Sequence, residues 1–205
     1  ALSSAASDVY KRQVLNSCER LEEQGFEITY LNVDQNGFVN LEELKNAIRE
    51  DTILITIMFA NNEVGTIEPV EKIAEIAKNN NIIFHTDAVQ AIGNVRIDVR
   101  KMGIDALSMS AHKFYGPKGI GALYVRDDVN FQRIQDGGHQ ERDKRAGTEN
   151  VAEIVGMGKA IEMAYKNFDE HCNYLRDLRD YYIAKVEREI PNAKLNGCLL
   201  YTSPS

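Results

Sequence analysis

From residue 14 onward, the hydrophobic and polar positions of the chain follow two alternating patterns, one typical of strands and one typical of helices. Short apolar segments rich in β-branched and aromatic residues predict five strands: FEITYLNV (26–33), TILITIMFA (52–60), IIFHTDA (82–88), DALSMSA (105–111) and GIGALYVR (119–126). Helical spacing predicts three helices before residue 100: NSCERLEEQG (16–25), NLEELKNAIRE (40–50) and VEKIAEIAKNN (70–80). Residues 151 to about 189 are almost wholly helical in pattern.

Local signals mark the ends of two of these helices. Gly25 follows the first helical pattern and is typical of a C-terminal stop. Asn40 precedes the second pattern and is a candidate N-cap, with Glu43 three residues later as in a capping box. Both helices are therefore predicted to end where the chain turns toward or away from a strand.

Strands that alternate with helices of about ten residues predict βαβ units and a mainly parallel sheet. We therefore predict an α/β fold with three layers, αβα, followed by a long helical segment. In such sheets ligands bind at the carboxyl ends of the strands. The polar residues just past the predicted strand ends are Asn61, Asn62, Asp87, Gln90, Ser110, His112 and Lys113.

Composition excludes several classes of partner. The 205 residues carry a formal net charge of −7, which argues against nucleic acid, because phosphate binding requires clustered Lys and Arg. No apolar run approaches the roughly 20 residues that span a bilayer, so no membrane association is expected. The three cysteines have neither metal-ligand spacing nor an even count, which favours free thiols in a reducing compartment. We expect a soluble intracellular protein without a metal site.

Single residues of the predicted strand ends leave alternatives open. Asp87 follows a buried strand, where a carboxylate is costly unless a cation pairs with it, but a lone Asp there is also a common turn or helix cap. Lys113 is either a surface lysine that reaches solvent or a desolvated amine that acts as a nucleophile. His85 lies two residues before Asp87 on the same strand face, and we interpret it as a satisfied core residue.

Taken together, these residues are more specific than any of them alone. Asp87, Gln90 three residues later, and the sequence Ser110-x-His112-Lys113 fit the requirements of pyridoxal phosphate. That cofactor needs a lysine for covalent attachment, an acid for its pyridine nitrogen, and donors for its phosphate.

Four motifs, in order and nearly in spacing, resemble those of the cysteine desulfurases, pyridoxal-phosphate enzymes of the class V aminotransferase group with fold type I. The motifs are NNEVGT, HTDAVQ, SAHKFYGPKGIGALYVR and GGHQERDKRAGTEN, within a resemblance from about Val14 to about Gly197. The resemblance implies that Lys113 attaches the cofactor and moves protons on the substrate, and that Asp87 pairs with the pyridine nitrogen. It implies that Asn62 and Gln90 bind the phenolic oxygen of the ring, and that Ser110 and His112 bind the phosphate. Thr148 would reach the phosphate of a neighbouring subunit, which implies a homodimer with shared sites.

The resemblance also implies a division of the chain and a set of partners. Residues 14–150 correspond to part of the cofactor-binding large domain, and residues 151–197 to a long helix and the start of a small domain. We interpret residues 1–13 and 198–205 as tails outside the family pattern, introduced by cloning or sequence assembly. L-cysteine is the implied substrate, and a sulfur-acceptor or scaffold protein the implied partner, in the bacterial-type cytoplasm or an organelle matrix.

The sequence departs from the family pattern in what it lacks. The family's upstream phosphate-binding turn, its ring-stacking histidine and its mobile cysteine loop have no counterpart in these 205 residues. The expected function is a cysteine desulfurase for iron–sulfur cluster or thio-cofactor assembly, present as a fragment that we expect to be inactive alone. The alternatives are a selenocysteine lyase or related class V enzyme, and a non-catalytic cofactor-binding or scaffold-docking module.

Overall fold

A mainly parallel sheet forms the centre of the computed structural model, which describes residues 2–5 and 12–198. Its strands are Leu2–Ala5 (β1), Ile28–Leu31 (β2), Leu54–Met58 (β3), Ile83–Asp87 (β4), Ala106–Ser110 (β5) and Gly121–Val125 (β6). They lie in the order β2-β1-β3-β4-β5-β6. All neighbouring pairs up to β5 are parallel, and β6 pairs antiparallel with β5. The predicted sheet type is thus confirmed.

The five strands expected from the sequence all form, and the sheet contains one strand that was not predicted. This strand, β1, lies between β2 and β3 and pairs with both in parallel. It belongs to residues 1–13, which the sequence analysis assigned to a tail outside the family pattern. Residue 1, residues 6–11 and residues 199–205 lie outside the described part of the chain.

Helices occupy the segments between strands and most of the C-terminal third. They are Arg12–Glu23 (α1), Leu41–Ala47 (α2), Val70–Asn79 (α3), Gln140–Asp143 (α4), Val151–Lys166 (α5) and Phe168–Glu189 (α6). A 3-10 turn, Ala111–Phe114, follows β5. None of the helices within residues 12–198 has the length and apolar character that crossing a membrane would require.

The predicted helix ends are confirmed, with one difference in side-chain partners. Gly25 follows α1 with φ +90, a left-handed conformation that glycine adopts without strain. Asn40 caps α2 by accepting hydrogen bonds from the backbone amides of Glu42 and Glu43. The Glu43 carboxylate does not complete a capping box, because it accepts a 2.9 Å hydrogen bond from the Asn32 side chain instead.

The helical pattern after residue 150 resolves into two helices rather than one. Asn167 interrupts it with φ −123 and ψ 40, outside the helical region. Immediately after the break, the buried ring of Phe168 stacks on Tyr165, with ring centroids 5.2 Å apart. The Arg96 guanidinium lies 4.7 Å from the centre of the Phe168 ring. The interruption therefore coincides with an aromatic contact that holds the two helices against the turn after β4.

The two faces of the central strands differ in polarity. One face is apolar and buried, and its side chains share a core with α3: Ile55, Ile57, Phe84, Leu107, Ile73, Ala74 and Ala77. The other face carries half-buried polar residues, which we call the polar row: Thr56, His85, Asp87, Ser108 and Ser110. Alternation along each strand separates the two sets, because successive side chains point to opposite faces. One face of the sheet therefore forms the hydrophobic core, and the other carries the polar residues that are candidates for a functional site.

Thr86 generates a prediction about stability, because it is a polar residue on the apolar face. It is fully buried, and within the described residues its hydroxyl has no hydrogen-bond partner. Thr86→Val keeps the shape and removes the unsatisfied hydroxyl, so we expect the free energy of unfolding to rise by about 1 kcal/mol. The same change at Thr56, whose hydroxyl is hydrogen-bonded, should lower it by a similar amount. Urea denaturation of both variants measures the two changes in the free energy of unfolding. A loss of stability in Thr86→Val would contradict the expectation.

Candidate functional site

The carboxyl ends of β3, β4 and β5 meet at one edge of the sheet. In the parallel register Met58 lies beside Asp87, and Asp87 lies beside Ser108. Two backbone hydrogen bonds extend the pairing past the strand ends: Phe59 donates to Asp87 at 2.8 Å, and Ala88 donates to Ser108 at 3.0 Å. β3 and β4 therefore end at the same level and β5 two residues further on, at the edge where the sequence predicted a ligand site.

The loop after β3, residues 60–68, has its own internal hydrogen bonds. Its two arms pair through an antiparallel bridge between Ala60 and Ile67. The Asn61 side-chain oxygen accepts hydrogen bonds from the amides of Glu63 at 2.8 Å and Val64 at 3.1 Å. These bonds fold the loop back on itself around Asn62, which is half-buried.

A second loop, residues 34–39, supports the loop that carries Asn62. The buried carboxylate of Glu68 accepts a 3.0 Å hydrogen bond from the Val39 amide. The buried Thr66 hydroxyl donates to the backbone oxygen of Asn36. Since both contacts join segments about 30 residues apart in the chain, the position of Asn62 depends on tertiary packing.

At the end of β4, Asp87 serves as a turn cap. One oxygen of its carboxylate, Oδ1, accepts a 2.9 Å hydrogen bond from the Val89 amide. The turn that follows buries Gln90, which is 9% exposed. The capping role that the sequence left open is thus present.

Past β5, the chain enters a 3-10 turn that carries the remaining predicted residues. Ser110 Oγ lies 2.9 Å from His112 Nδ1, so the hydroxyl and the imidazole are hydrogen-bonded to each other. The ring of His112 is exposed, whereas Ser110 is half-buried. A hydroxyl and an imidazole that are held side by side can donate hydrogen bonds to one anionic group.

Lys113 is the third residue of this 3-10 turn, and the buried Phe114 is the last. Its side chain is half-buried and lines a cavity of about 340 Å³ between the turn, residues 92–94 and the last turns of α5. Among the described residues, no acceptor forms a hydrogen bond or ion pair with its amine. The amine is therefore available to a ligand.

Two glycines allow the compact turn around Lys113. A Cβ at Gly116 would lie 2.9 Å from the backbone oxygen of Ala111, which is too close for any side chain. Helix α5 packs tightly on the same segment, because a Cβ at Gly156 would lie 2.7 Å from Pro117. Gly116 therefore permits the close backbone approach within this turn, and Gly156 permits the close approach of α5 to Pro117.

Thr148 lies in an exposed loop before α5, and its hydroxyl has no hydrogen-bond partner within residues 2–5 and 12–198. The loop is held by Arg145, whose guanidinium donates to the backbone oxygens of Ala146 at 3.1 Å and Gly147 at 2.6 Å. Asn150 caps α5 through a 3.4 Å hydrogen bond from the Glu153 amide. Arg145 and Asn150, for which the sequence suggested no role, thus shape the loop that presents Thr148.

Two of the three described cysteines are poorly placed for nucleophilic chemistry. The third, Cys198, is half-buried, and its backbone amide donates to the Val64 oxygen at 2.6 Å. Cys18 lies in α1 and is buried. Cys172 lies in α6, where its thiol is 3.6 Å from the backbone oxygen of Asn94 and burial raises its pKa. A raised pKa lowers the thiolate fraction, and the thiolate is the reactive form.

The sequence alone does not show the part that His85 plays in the polar row. Its Nδ1 lies 2.7 Å from the Thr56 hydroxyl on β3, and its Nε2 lies 2.8 Å from the Ser108 hydroxyl on β5. The one available signal was the shared strand face of His85 and Asp87. The partners could not be found that way, because they lie on other strands.

Comparison with known proteins gives matches over most of the chain. A sequence model of the family described as class-V aminotransferases matches residues 12–200. The cysteine desulfurase IscS of Clostridium botulinum is 58% identical over 184 residues, which are 90% of this chain and 46% of that protein. IscS of Dictyoglomus turgidum is 56% identical over 191 residues, 93% of this chain and 48% of that protein. The chain thus spans about half the length of the curated relatives it matches.

Solved structures give the same result. A NifS-like protein superimposes with a TM-score of 0.92 at 38% identity, over 99% of this chain and 55% of the other. The structure described as SspA in complex with cysteine has a TM-score of 0.75 at 45% identity, over 78% of this chain and 47% of the other. These similarities confirm the predicted fold class and the resemblance inferred from the motifs.

The internal bonds of the loop at residues 60–68 generate a prediction about Asn61. Asn61→Ala removes the oxygen that accepts from the Glu63 and Val64 amides, so we expect hydrogen exchange at these amides to accelerate by about tenfold. Asn61→Asp keeps that oxygen and serves as the matched control, with exchange close to the unmodified chain. Equal exchange in all three proteins would show that the side chain does not hold the loop.

Proposed function

Because the chain belongs to the class-V aminotransferase family, we propose that it is the cofactor-binding part of a pyridoxal-phosphate-dependent cysteine desulfurase. One observation carries the proposal. β3, β4 and β5 end side by side, with Asp87 at the end of β4 and with Ser110, His112 and Lys113 at the end of β5 and in the 3-10 turn that follows it. This arrangement occurs in a chain 58% identical to a protein named cysteine desulfurase.

The proposed reaction moves sulfur from L-cysteine to an acceptor thiol. The carbon–sulfur bond of cysteine breaks, the sulfur joins the acceptor thiol as a persulfide, and the remaining carbon skeleton takes up a proton and leaves as L-alanine. Cysteine as the ligand is supported by the similar structure that contains it. The persulfide would supply iron–sulfur cluster or thio-cofactor assembly through an acceptor or scaffold protein.

The donor set at the edge of the sheet fits pyridoxal phosphate. The cofactor needs an amine for attachment, an anion for its ring nitrogen and several donors for its phosphate, and when bound it supplies an electron-withdrawing ring. Lys113 would attach it and then carry a proton to and from the α-carbon of the substrate. Asp87 would keep a proton on the ring nitrogen. Ser110 and His112, already paired at 2.9 Å, would donate to the phosphate.

Two amides complete the proposed binding set. Gln90 follows Asp87 in a buried turn, and Asn62 lies on the supported loop after β3. Each side chain has an N–H group that can donate to the phenolic oxygen of the cofactor ring. Asn62 can also bind the substrate carboxylate, because its loop ends at the same edge.

Thr148 supports a homodimer with shared sites. Arg145 donates to the backbone of its exposed loop, and within the described residues its hydroxyl has no hydrogen-bond partner. We propose that it binds the cofactor phosphate of a second subunit. A full-length protein that sediments as a single chain would contradict this part of the proposal.

The sulfur-accepting thiol is proposed to lie outside the described residues. Cys18 is buried and Cys172 has a raised pKa, so neither matches a mobile, reactive thiol. Cys198 is half-buried and its backbone amide donates to the Val64 oxygen, which does not fit a mobile loop either. The matched relatives are about twice as long as this chain, which leaves room for that segment. We also propose a cytoplasmic location, as expected for a bacterial protein of this kind, which cell fractionation tests.

Covalent labelling tests the proposed function directly. In the full-length protein incubated with pyridoxal phosphate, borohydride reduction should fix the cofactor on Lys113, because its amine has no competing partner in the described structure. Peptide mapping locates the label. Lys118, five residues away and exposed, is the internal control and should remain unlabelled. Label on Lys118 alone, or none at all, would refute the assignment.

Asp87→Asn tests whether the charge of this residue matters beyond its capping role. Asparagine keeps the oxygen that accepts from the Val89 amide, so the turn should survive, but the anion is lost. Loss of a buried ion pair costs several kcal/mol, so we expect alanine formation to slow by about a thousandfold.

Asp98→Asn is the matched control for that experiment. Asp98 also caps a turn, by accepting from the amides of Arg100 and Lys101, but it is exposed and distant from the strand ends. Its variant should turn over normally. Near-normal turnover in Asp87→Asn as well would show that Asp87 is a cap and nothing more.

A further inference from the structure

His85 joins three neighbouring strands through its side chain. Its ring lies on β4, with Nδ1 2.7 Å from Thr56 Oγ1 on β3 and Nε2 2.8 Å from Ser108 Oγ on β5. We call Thr56, His85 and Ser108 the imidazole bridge. The strands also pair through their backbones, so the bridge is a second, side-chain link across the same sheet.

The chemistry of the bridge suits a lasting structural link. A neutral imidazole has one donor and one acceptor nitrogen, and a hydroxyl can both donate and accept. Either tautomer of His85 therefore satisfies both contacts by rotation of the Thr56 and Ser108 hydroxyls. Because both nitrogens are engaged, the ring is held in one orientation.

The imidazole bridge lies two residues before the candidate site residues on β4 and β5. His85 precedes Asp87 by two residues on the same face of β4, and Ser108 is the parallel register partner of Asp87. Ser108 in turn precedes Ser110 by two residues on β5. A lateral shift of β4 against β5 would thus move Asp87 relative to the hydroxyl–imidazole pair of the 3-10 turn.

We propose that His85 is a positioning residue of the cofactor site. By linking the hydroxyls of Thr56 and Ser108, its imidazole fixes the carboxyl end of β4 between its neighbours, and so fixes the Asp87 carboxylate relative to Ser110 and Lys113. The inference rests on the proposed function, because it assumes that these residues bind pyridoxal phosphate. It assigns a role to His85, which is not among the residues proposed to bind the cofactor.

Cofactor binding by variants of the bridge tests this inference. In the full-length apoprotein, His85→Leu removes both contacts, Ser108→Ala removes the link to β5, and Thr56→Val removes the link to β3 without changing shape. We expect His85→Leu and Ser108→Ala each to weaken pyridoxal phosphate binding by about tenfold and to shift the visible absorption band of the bound cofactor. The double variant should bind no more weakly than His85→Leu alone, because the two residues act through one contact.

Two substitutions on the opposite face of the same strands serve as controls. Thr86→Val changes β4 beside His85 without touching the polar row. Ile57→Val removes one methyl group from the buried face of β3 and should lower the stability of the protein. Both should bind the cofactor with the affinity and absorption band of the unmodified protein.

Each outcome decides the inference. If the unmodified protein takes up no cofactor on Lys113, the proposed function is wrong and the role of His85 falls with it. If it does, and the bridge variants match it in affinity and spectrum, only the role of His85 is refuted. The same holds if Ile57→Val weakens binding as much as Ser108→Ala, since the effect would then follow stability. Should His85→Leu fail to fold, Ser108→Ala still decides the question.

Discussion

The parallel, in-register pairing of β3, β4 and β5 is the constraint on which the rest of the structure depends. Met58, Asp87 and Ser108 lie side by side across these strands, and backbone hydrogen bonds continue past them. Because parallel strands all run in one direction, their following loops emerge at a common edge. Residues from three separate parts of the chain thereby reach one place without any long loop.

The two faces of the same strands have different functions: one forms the hydrophobic core, and the other carries the polar row. On one face, Ile55, Ile57, Phe84 and Leu107 are almost completely buried and share a core with α3. The polar row on the other face contributes little apolar burial, and its side chains make hydrogen bonds across the strands instead. Since neighbouring residues of a strand point to opposite faces, substitutions one position apart can have unrelated effects.

Contacts outside the sheet fix the positions of the residues in the loops that follow the strands. The loop that carries Asn62 is held by Glu68 and Thr66 through bonds to residues 34–39. The turn that carries Lys113 is held by close backbone packing at Gly116 and by α5 at Gly156. These supports are rigid because glycines allow backbone contact and buried polar groups are satisfied. Proteins of this family would need such rigidity, since cofactor chemistry depends on fixed distances.

The sequence by itself determined the elements whose signals are local. Periodicity located five of the six strands, Gly25 and Asn40 marked helix ends, and the residues after the strands located the candidate site, because each signal is contained in a few neighbouring residues. Only the tertiary structure decided how distant segments meet. The strand Leu2–Ala5, inserted between β2 and β3, has the sequence LSSA and lacks the β-branched and aromatic residues that indicated the other strands. The partners of His85 lie 29 and 23 residues away, on neighbouring strands. Which side chains face each other across a sheet follows from strand order and register, and these are set by the packing of the whole chain.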